Sequence, residues 1–267
     1  MYSKFQLAKK YLQHYFTASN SKGHGIHSPF VFDFIKNVLN DKRDFYAYSD
    51  VEKLRKKLLD DESKIAIKDF GAGSALPQSK NFSVADIAKR SAVTPKRGQL
   101  LFRIANYYRP QTMLELGTSL GISASYLSLG NTDSKMITIE GSPEIAVCAQ
   151  KNLDSLSLEN VKLIHGNFDD ELPSVIAHHS PFDLVYVDGN HRKEPVLKYL
   201  NMLMNHMSSL SVIIFDDIHW SKEMEEAWLE IYNDPRLLMT IDLFFFGLVF
   251  FREDFRRKQH FAIRYPL

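Results

Sequence analysis

Two stretches of the sequence combine an apolar run with a glycine turn, a pattern that can hold a nucleotide-like cofactor. They are "IKDFGAGSALPQ" (residues 67–78) and "MLELGTSLGISAS" (residues 113–125). A cofactor loop needs a buried strand before the glycines, a helix whose first amides face the ligand, and an acidic residue at the end of the next strand. The second stretch meets all three conditions, because Glu140 ends the next apolar run, "MITIE". A carboxylate there can accept hydrogen bonds from both hydroxyls of a ribose, so residues 113–125 are predicted to form the cofactor loop.

The first stretch has the glycines but not the elements that should follow them. Pro77 and the polar "QSKN" come next, and no strand is expected before Ser83, which is predicted to cap a helix. Two interpretations of residues 67–78 stay open. The segment is either a surface turn that needs glycine torsions or a flap that folds over the active site and contacts substrate or cofactor.

Strand-like and helix-like segments alternate along residues 96–267, which is typical of an α/β fold. We predict a Rossmann-like, doubly wound sheet of seven strands that is mostly parallel. The last two β-rich runs, residues 240–251 and 259–265, have no helix between them and are predicted to form a C-terminal antiparallel β-hairpin. Residues 1–95 lack the alternation, so they are predicted to be a mainly helical extension or lid that contains the glycine-rich segment.

Charge and composition exclude several classes of protein. Lys and Arg total 33 against 32 Asp and Glu, so the net charge of +1 gives no electrostatic reason to expect nucleic acid or an anionic membrane as a partner. A single cysteine, Cys148, excludes an internal disulfide and a cysteine-rich metal site, which indicates a reducing compartment. The first residues lack the continuous apolar run of a signal peptide, and the apolar residues 241–251 are too few to span a bilayer. We expect a cytoplasmic protein. A homodimer is a possible assembly.

The glycine spacing distinguishes between cofactors. Gly117 and Gly121 form a G-x-x-x-G pattern rather than the G-x-G-x-x-G of dinucleotide-binding proteins. Together with the terminal hairpin, this spacing favours S-adenosylmethionine over NAD.

A family resemblance follows from these motifs. "TPKRGQLLFRIANYYRPQTMLELGTSLGISASYLSLG" resembles the region that enters the cofactor site of catechol-type and caffeoyl-coenzyme-A-type O-methyltransferases. The similarity continues through Glu140, "HGNFDDELP", "FDLVYVDGNH" and "IIFDDIHW", over roughly residues 94–220. The first ninety residues look more like those of a less-studied bacterial branch of class I methyltransferases.

The resemblance implies a set of cofactor contacts. Glu140 is expected at the ribose, and Asp188 is a further candidate contact. Phe168 departs from the family, which often has a small hydroxyl residue there. The loop residues expected around the methionine part are Glu115, Gly117, Thr118, Ser119, Gly121 and Ser123, and those expected at the adenine are Gly166, Asn167 and Phe168.

The resemblance also implies a metal site and a base. Metal-dependent members bind a divalent cation at positions matched by Asp188, Asp216 and Asp217, where hard oxygen ligands suit Mg²⁺. Asp217 replaces the family's asparagine. The alternative is that Asp188 contacts the cofactor and the Asp216–Asp217 pair caps the next helix. His191 stands where those members have a lysine, which makes it a candidate general base together with Asp188, and Trp220 matches an aromatic that can wall the substrate pocket.

These features predict a methyltransferase that acts on a hydroxyl of a small-molecule acceptor, with or without help from a divalent cation. A nucleic-acid or protein methyltransferase is the alternative enzyme, although the sequence lacks the [DN]-P-P-[YF] motif of many enzymes that methylate base amines. The third interpretation is a non-catalytic module that only binds S-adenosylmethionine, or a protein-interaction domain that keeps only the fold.

Overall fold

The structure, a computed structural model, describes residues 1–19, 22–23, 26–67 and 80–265, which fall into two compact units. One unit is Met1–Asp41 with Ser180–Leu267, and the other is Lys42–His179. The compact units therefore do not divide at the predicted boundary between residues 95 and 96.

The helices are α1 (Lys4–Thr17), α2 (Pro29–Phe34), α3 (Tyr46–Leu59), α4 (Val84–Ser91), α5 (Pro95–Tyr108), α6 (Ile122–Gly130), α7 (Pro143–Ser155), α8 (Phe168–His179), α9 (Lys193–Leu203) and α10 (Lys222–Asn233). A π-helical turn, Ile35–Leu39, follows α2, and a 3₁₀ turn, Met204–His206, follows α9. The strands are β1 (Lys64–Ile67), β2 (Lys80–Ser83), β3 (Thr112–Leu116), β4 (Lys135–Glu140), β5 (Val161–His165), β6 (Phe182–Val187), β7 (Met207–Phe215), β8 (Met239–Asp242), β9 (Gly247–Phe251) and β10 (Gln259–Ala262).

In the unit Lys42–His179, three parallel strands lie in the order β5-β4-β3 with helices packed on them. Helices α3 and α5 both contact α6. The approach of α5 to α6 depends on Gly98, because a Cβ there would lie 2.3 Å from the Tyr126 ring. Residues 42–67 and 80–95 belong to this unit because α3 packs on α6 and α4, and β1 packs on α7.

The helix starts in this unit follow from local sequence. Ser83 caps α4 by accepting a hydrogen bond from the Asp86 N–H, as predicted. Pro143 opens α7 directly after Ser142.

The prediction that no strand precedes Ser83 is wrong. β1 and β2 pair as a two-stranded antiparallel ribbon in which Ile67 lies opposite Lys80. The short polar sequence "KNFS" carries little strand signal of its own, and its strand structure comes from pairing with "KIAI". Residues 68–79, most of the proposed flap, lie outside the described residues.

In the other unit, the strand order is β6-β7-β9-β8-β10. β6 and β7 are parallel, β9 is antiparallel to both of its neighbours, and β10 is parallel to β8. The predicted hairpin between residues 240–251 and 259–265 is therefore wrong. The first of these runs is itself the hairpin, β8–β9.

The turn of this hairpin consists of apolar residues, 243–246, and has no glycine or proline. Asp242 accepts a hydrogen bond from the Phe244 N–H at 2.7 Å, and the Leu243 N–H donates to the Phe246 carbonyl at 2.9 Å. Phe244 has a φ of +74°. The turn then ends at Gly247, where a Cβ would lie 2.6 Å from the Trp228 ring, so the absence of a side chain permits this close approach.

The fold is the predicted α/β, Rossmann-like class, with one mostly parallel sheet of eight strands instead of seven. Helices flank the sheet, and the N-terminal region is largely helical. Among the described residues, no helix is long and apolar enough to cross a membrane.

Candidate functional site

The predicted cofactor loop connects β3 to α6 and has the backbone of a ligand-binding turn. Gly117, Ser119 and Gly121 have φ values of +106°, +46° and +82°. The N–H groups of Gly117 and Thr118 both donate to the Ile139 carbonyl, at 3.0 and 3.2 Å, which pins the loop to the end of β4. Two glycines in the left-handed region let this tight turn form at the carboxyl ends of β3 and β4, where open α/β sheets bind ligands.

Glu140, at the end of β4, lies against this loop. Its Oε2 accepts a hydrogen bond from the Ser119 N–H at 2.8 Å, and its Oε1 accepts one from the Ser142 N–H at 2.9 Å. Burial raises the pKa of Glu140, whereas these backbone hydrogen bonds act in the opposite direction. Each carboxylate oxygen can accept a second hydrogen bond, so the carboxylate is fixed in place and still able to bind ribose hydroxyls.

Glu115 and Thr118 lie beneath the loop rather than at its surface, since both are 0% exposed. Thr138 donates to Glu115 Oε2, and its hydroxyl also lies 2.6 Å from the Thr118 hydroxyl. Oε1 of Glu115 accepts no hydrogen bond of ordinary geometry from the described residues. Burial raises the pKa of Glu115 to about 7, against the lowering effect of the Ser123 and Thr138 side chains. A buried oxygen of this kind can accept a hydrogen bond from the ammonium group of an amino acid ligand, which fits S-adenosylmethionine.

The predicted adenine contacts follow β5, which is paired with β4 so that His165 lies opposite Glu140. The Gly166 N–H donates to the Glu140 carbonyl at 3.0 Å. Asn167 accepts a hydrogen bond from the Asp169 N–H, and Phe168 begins α8. The structure thus brings residues 166–168 to the same edge of the sheet as Glu140. Their contacts with a ligand stay a prediction.

In the other unit, the predicted metal ligands lie at the carboxyl ends of β6 and β7. The Tyr186 hydroxyl donates to Asp216 Oδ2 at 2.8 Å and lies 3.2 Å from Asp188 Oδ2. Asp216 is nearly buried and its Oδ1 accepts the Asp217 N–H. Asp217 itself adopts φ +53°, a conformation that suits the short side chains of Asn and Asp.

This arrangement does not fit a divalent cation. No group of three or more His, Cys, Asp or Glu side chains within the described ranges could hold a metal ion. The two aspartates share a hydroxyl donor from Tyr186, whereas a cation needs several oxygens directed at one point. The metal site implied by the resemblance is therefore not supported by the geometry.

The predicted base lies beside its predicted partner. Nε2 of His191 is 3.5 Å from Asp188 Oδ1, and both side chains are partly exposed. The preceding residue, Asn190, has φ +55° and donates to the Tyr199 hydroxyl at 3.1 Å. The loop after β6 therefore holds His191 next to a carboxylate that can orient the imidazole.

Trp220 is partly exposed at the end of the loop after β7. Its N–H donates to the Asp217 carbonyl at 2.9 Å, and its carbonyl accepts the Tyr2 N–H at 3.1 Å. Its role as a wall of the substrate pocket stays a prediction.

Sequence reasoning missed three polar residues at these sites. Ser91, at the end of α4, places its hydroxyl 2.8 Å from the Ser119 hydroxyl. Thr138 and Tyr186 are buried polar residues within apolar strands, and each contacts a strand-end carboxylate. A hydroxyl-bearing residue inside a run such as "MITIE" or "FDLVYVD" was the available signal, but strands commonly contain both residue types.

Comparison with known proteins identifies the same region. Residues 114–218 match the family model described as a methyltransferase domain. The chain is 28% identical over 130 residues to a catechol O-methyltransferase of Niastella koreensis, covering 48% of this chain and 58% of that enzyme. It is 29% identical over 150 residues to a catechol O-methyltransferase of Mycobacterium tuberculosis, covering 55% and 66%. The solved O-methyltransferase TomG from Streptomyces achromogenes, in complex with SAM, superimposes with a TM-score of 0.56 at 19% identity, over 83% of this chain and 96% of that one.

Residues 114–218 are therefore similar to a methyltransferase domain, and the chain shares its fold with a solved S-adenosylmethionine-bound O-methyltransferase. The predicted resemblance to O-methyltransferases of the catechol and caffeoyl-coenzyme-A type is confirmed. The matched regions span about three fifths to two thirds of the two catechol O-methyltransferases.

Proposed function

We propose that this protein transfers a methyl group from S-adenosylmethionine to a hydroxyl of a small-molecule acceptor. The observation that carries the cofactor assignment is the position of Glu140. Its carboxylate is fixed by the Ser119 and Ser142 amides at the mouth of a left-handed glycine turn. The acceptor class comes from the matched relatives, which are O-methyltransferases and include two that act on catechols.

In this proposal the loop and Glu140 bind and orient the cofactor. S-adenosylmethionine supplies, when bound, an electrophilic methyl group on a sulfonium sulfur. Glu140 accepts hydrogen bonds from the ribose, and Glu115 Oε1 accepts one from the amino acid part. Both carboxylates are held by hydrogen bonds before any ligand arrives, so little conformational freedom is lost on binding.

Activation of the acceptor is assigned to His191. The acceptor oxygen forms a bond to the methyl carbon, the bond from carbon to sulfur breaks with its electron pair going to sulfur, and the hydroxyl proton goes to the imidazole. Because Nε2 faces Asp188, the nitrogen available to take the proton is Nδ1. Asp188 orients the ring and stabilises the imidazolium that forms.

No step is assigned to magnesium. The Tyr186 hydroxyl lies between Asp188 and Asp216, and this geometry favours proton transfer over metal-assisted ionisation of the acceptor. The small-molecule acceptor, the cytoplasmic location and the homodimer stay predictions from the sequence.

Two measurements test the proposal. Calorimetry with S-adenosylhomocysteine should show binding, which Glu140→Ala weakens. Methyl transfer from labelled S-adenosylmethionine should then occur to a panel of catechols and phenols, and not to RNA or to unmodified protein. Absence of binding would refute the cofactor assignment. Binding without transfer to any hydroxyl compound would instead identify a non-catalytic module.

A further inference from the structure

The loop after β7, defined as Asp216–Trp220 and called the β7 loop, is held by a network of half-buried charged groups around the buried carboxylate of Asp242. His219, which the function proposed above does not use, is at its centre. Nε2 of His219 lies 2.9 Å from Asp242 Oδ2, and Nδ1 lies 3.3 Å from Glu225 Oε1. The imidazole thus bridges two carboxylates, one from β8 and one from α10. Its ring also stacks on Phe244, with centroids 5.0 Å apart and an interplanar angle of 24°.

Asp242 gives this network a single geometry. It is 5% exposed, and its carboxylate accepts hydrogen bonds from the Trp228 Nε1–H at 3.1 Å and the Phe244 N–H at 2.7 Å besides facing His219. Nε2 of His14 lies 3.1 Å from its other oxygen. Asp242 is hydrogen-bonded at both of its oxygens and cannot rotate without losing these bonds, so His219 has one favourable position.

Helix α1 contacts the same two carboxylates. His14 faces Asp242, while Lys10 Nζ lies 2.9 Å from Glu225 and the Tyr2 hydroxyl donates to Glu225 Oε2 at 2.7 Å. The Tyr2 N–H also donates to the Trp220 carbonyl at 3.1 Å. The N-terminal segment therefore holds the β7 loop both directly and through Asp242 and Glu225.

We propose that His219 is a positioning residue for methyl transfer, which fixes the β7 loop so that Trp220 and the Asp216–Asp217 pair meet the acceptor in one orientation. This inference rests on the proposed function. Methyl transfer depends on alignment of the attacking oxygen, and a displacement of about 1 Å can cost on the order of 100-fold in rate. In this proposal, helix α1 supports acceptor binding indirectly, through its contacts with Asp242 and Glu225.

The test combines hydrogen–deuterium exchange with kinetics on the full chain. In His219→Ala, amides of residues 216–221 should exchange at least about tenfold faster than in the wild type, because the free energy of local unfolding of the loop decreases.

The kcat/KM for the acceptor should fall by about 10- to 100-fold in the same variant. The Kd for S-adenosylhomocysteine should stay within about twofold, because the hydrogen bonds of His219 run to Asp242 and Glu225 of its own unit. His219→Gln, whose amide can donate to one carboxylate, should recover part of both losses. His27→Ala, at an exposed histidine of the same unit, should behave as the wild type.

Each outcome decides between the two proposals. Unchanged exchange at residues 216–221 in both His219 variants overturns the positioning role. Faster exchange with unchanged kcat/KM also overturns it, because the loop would then be irrelevant to turnover. If the wild type transfers no methyl group to any hydroxyl compound while exchange responds as expected, the proposed function fails and the structural role of His219 in the loop stands.

Discussion

Thr138 donates a hydrogen bond of 2.5 Å to Oε2 of Glu115, a carboxyl group that is completely buried beneath the cofactor loop. Burial raises the pKa of Glu115 from 4.5 to about 7, so the folded protein retains its proton at pH values where the unfolded chain has released it. The native state binds more protons than the unfolded state between these two values, and stability therefore decreases as the pH rises through this window.

Replacing Glu115 by glutamine should remove this pH dependence. Between pH 4.5 and pH 8, the unfolding free energy of the wild type should decrease by up to about 3 kcal/mol relative to that of Glu115→Gln. Urea denaturation of both proteins at pH 5 and pH 8 measures this difference. Glu159→Gln, which removes a carboxylate at an exposed position of the same unit, is the matched control, and the effect of Glu115→Gln should exceed it. A Glu115→Gln difference equal at both pH values would contradict the raised pKa.

Glu140→Ala should weaken binding of S-adenosylhomocysteine by about 10- to 100-fold. The change removes a charged acceptor for the ribose hydroxyls, worth roughly 1.5–3 kcal/mol, and frees the Ser119 and Ser142 amides that the carboxylate now holds. Calorimetry gives the affinity directly. Glu159→Ala should bind like the wild type, and an unaltered affinity in Glu140→Ala would remove this residue from the cofactor site.

Gly247→Ala should destabilise the protein by about 1–3 kcal/mol, because the new Cβ would lie 2.6 Å from the ring of Trp228, which is almost fully buried. Gly141→Ala is the matched control, since a Cβ there meets no atom within 4 Å. Thermal unfolding of the two variants without cofactor measures the contrast. Equal melting temperatures for Gly247→Ala and the wild type would mean that β9 and α10 are not packed as closely as described.

Features defined by residues close together in the sequence could be predicted. Features that depend on contacts between distant segments could not. The cofactor loop, Glu140 and the strand-end aspartates follow from local patterns, and the structure places them at strand ends as expected. The β8–β9 turn was missed because its four residues, 243–246, are all apolar, and it is stabilised by the buried side chain of Asp242 rather than by glycine or proline. β2 was missed because its strand structure comes from β1.

The geometry does not support the metal prediction, for a related reason. Spacing and residue type place Asp188 and Asp216 at neighbouring strand ends, but they do not reveal which side chain fills the space between them. Tyr186 lies on β6 two residues before Asp188, which directly follows that strand, so both side chains point to the same face and the Tyr186 hydroxyl reaches both carboxylates. Only the three-dimensional structure shows that one hydroxyl lies within hydrogen-bonding distance of both carboxylates.

Tyr186→Phe should therefore reveal a cation site that the wild type lacks. Without the hydroxyl, Asp188 and Asp216 lose a shared donor and their negative charges repel each other, so the variant should be less stable by about 1–3 kcal/mol. Addition of magnesium should raise the melting temperature of Tyr186→Phe, because a divalent cation can replace the lost donor, and should leave that of the wild type unchanged. Tyr46→Phe, at a tyrosine that is 95% exposed, serves as the control and should show neither the loss of stability nor the response to magnesium.

In the same series, wild-type methyl transfer should be unaffected by a chelator. A magnesium-dependent rise in the wild-type melting temperature, or loss of its activity on chelation, would restore the metal-assisted mechanism and remove His191 from its role as the sole activator of the acceptor.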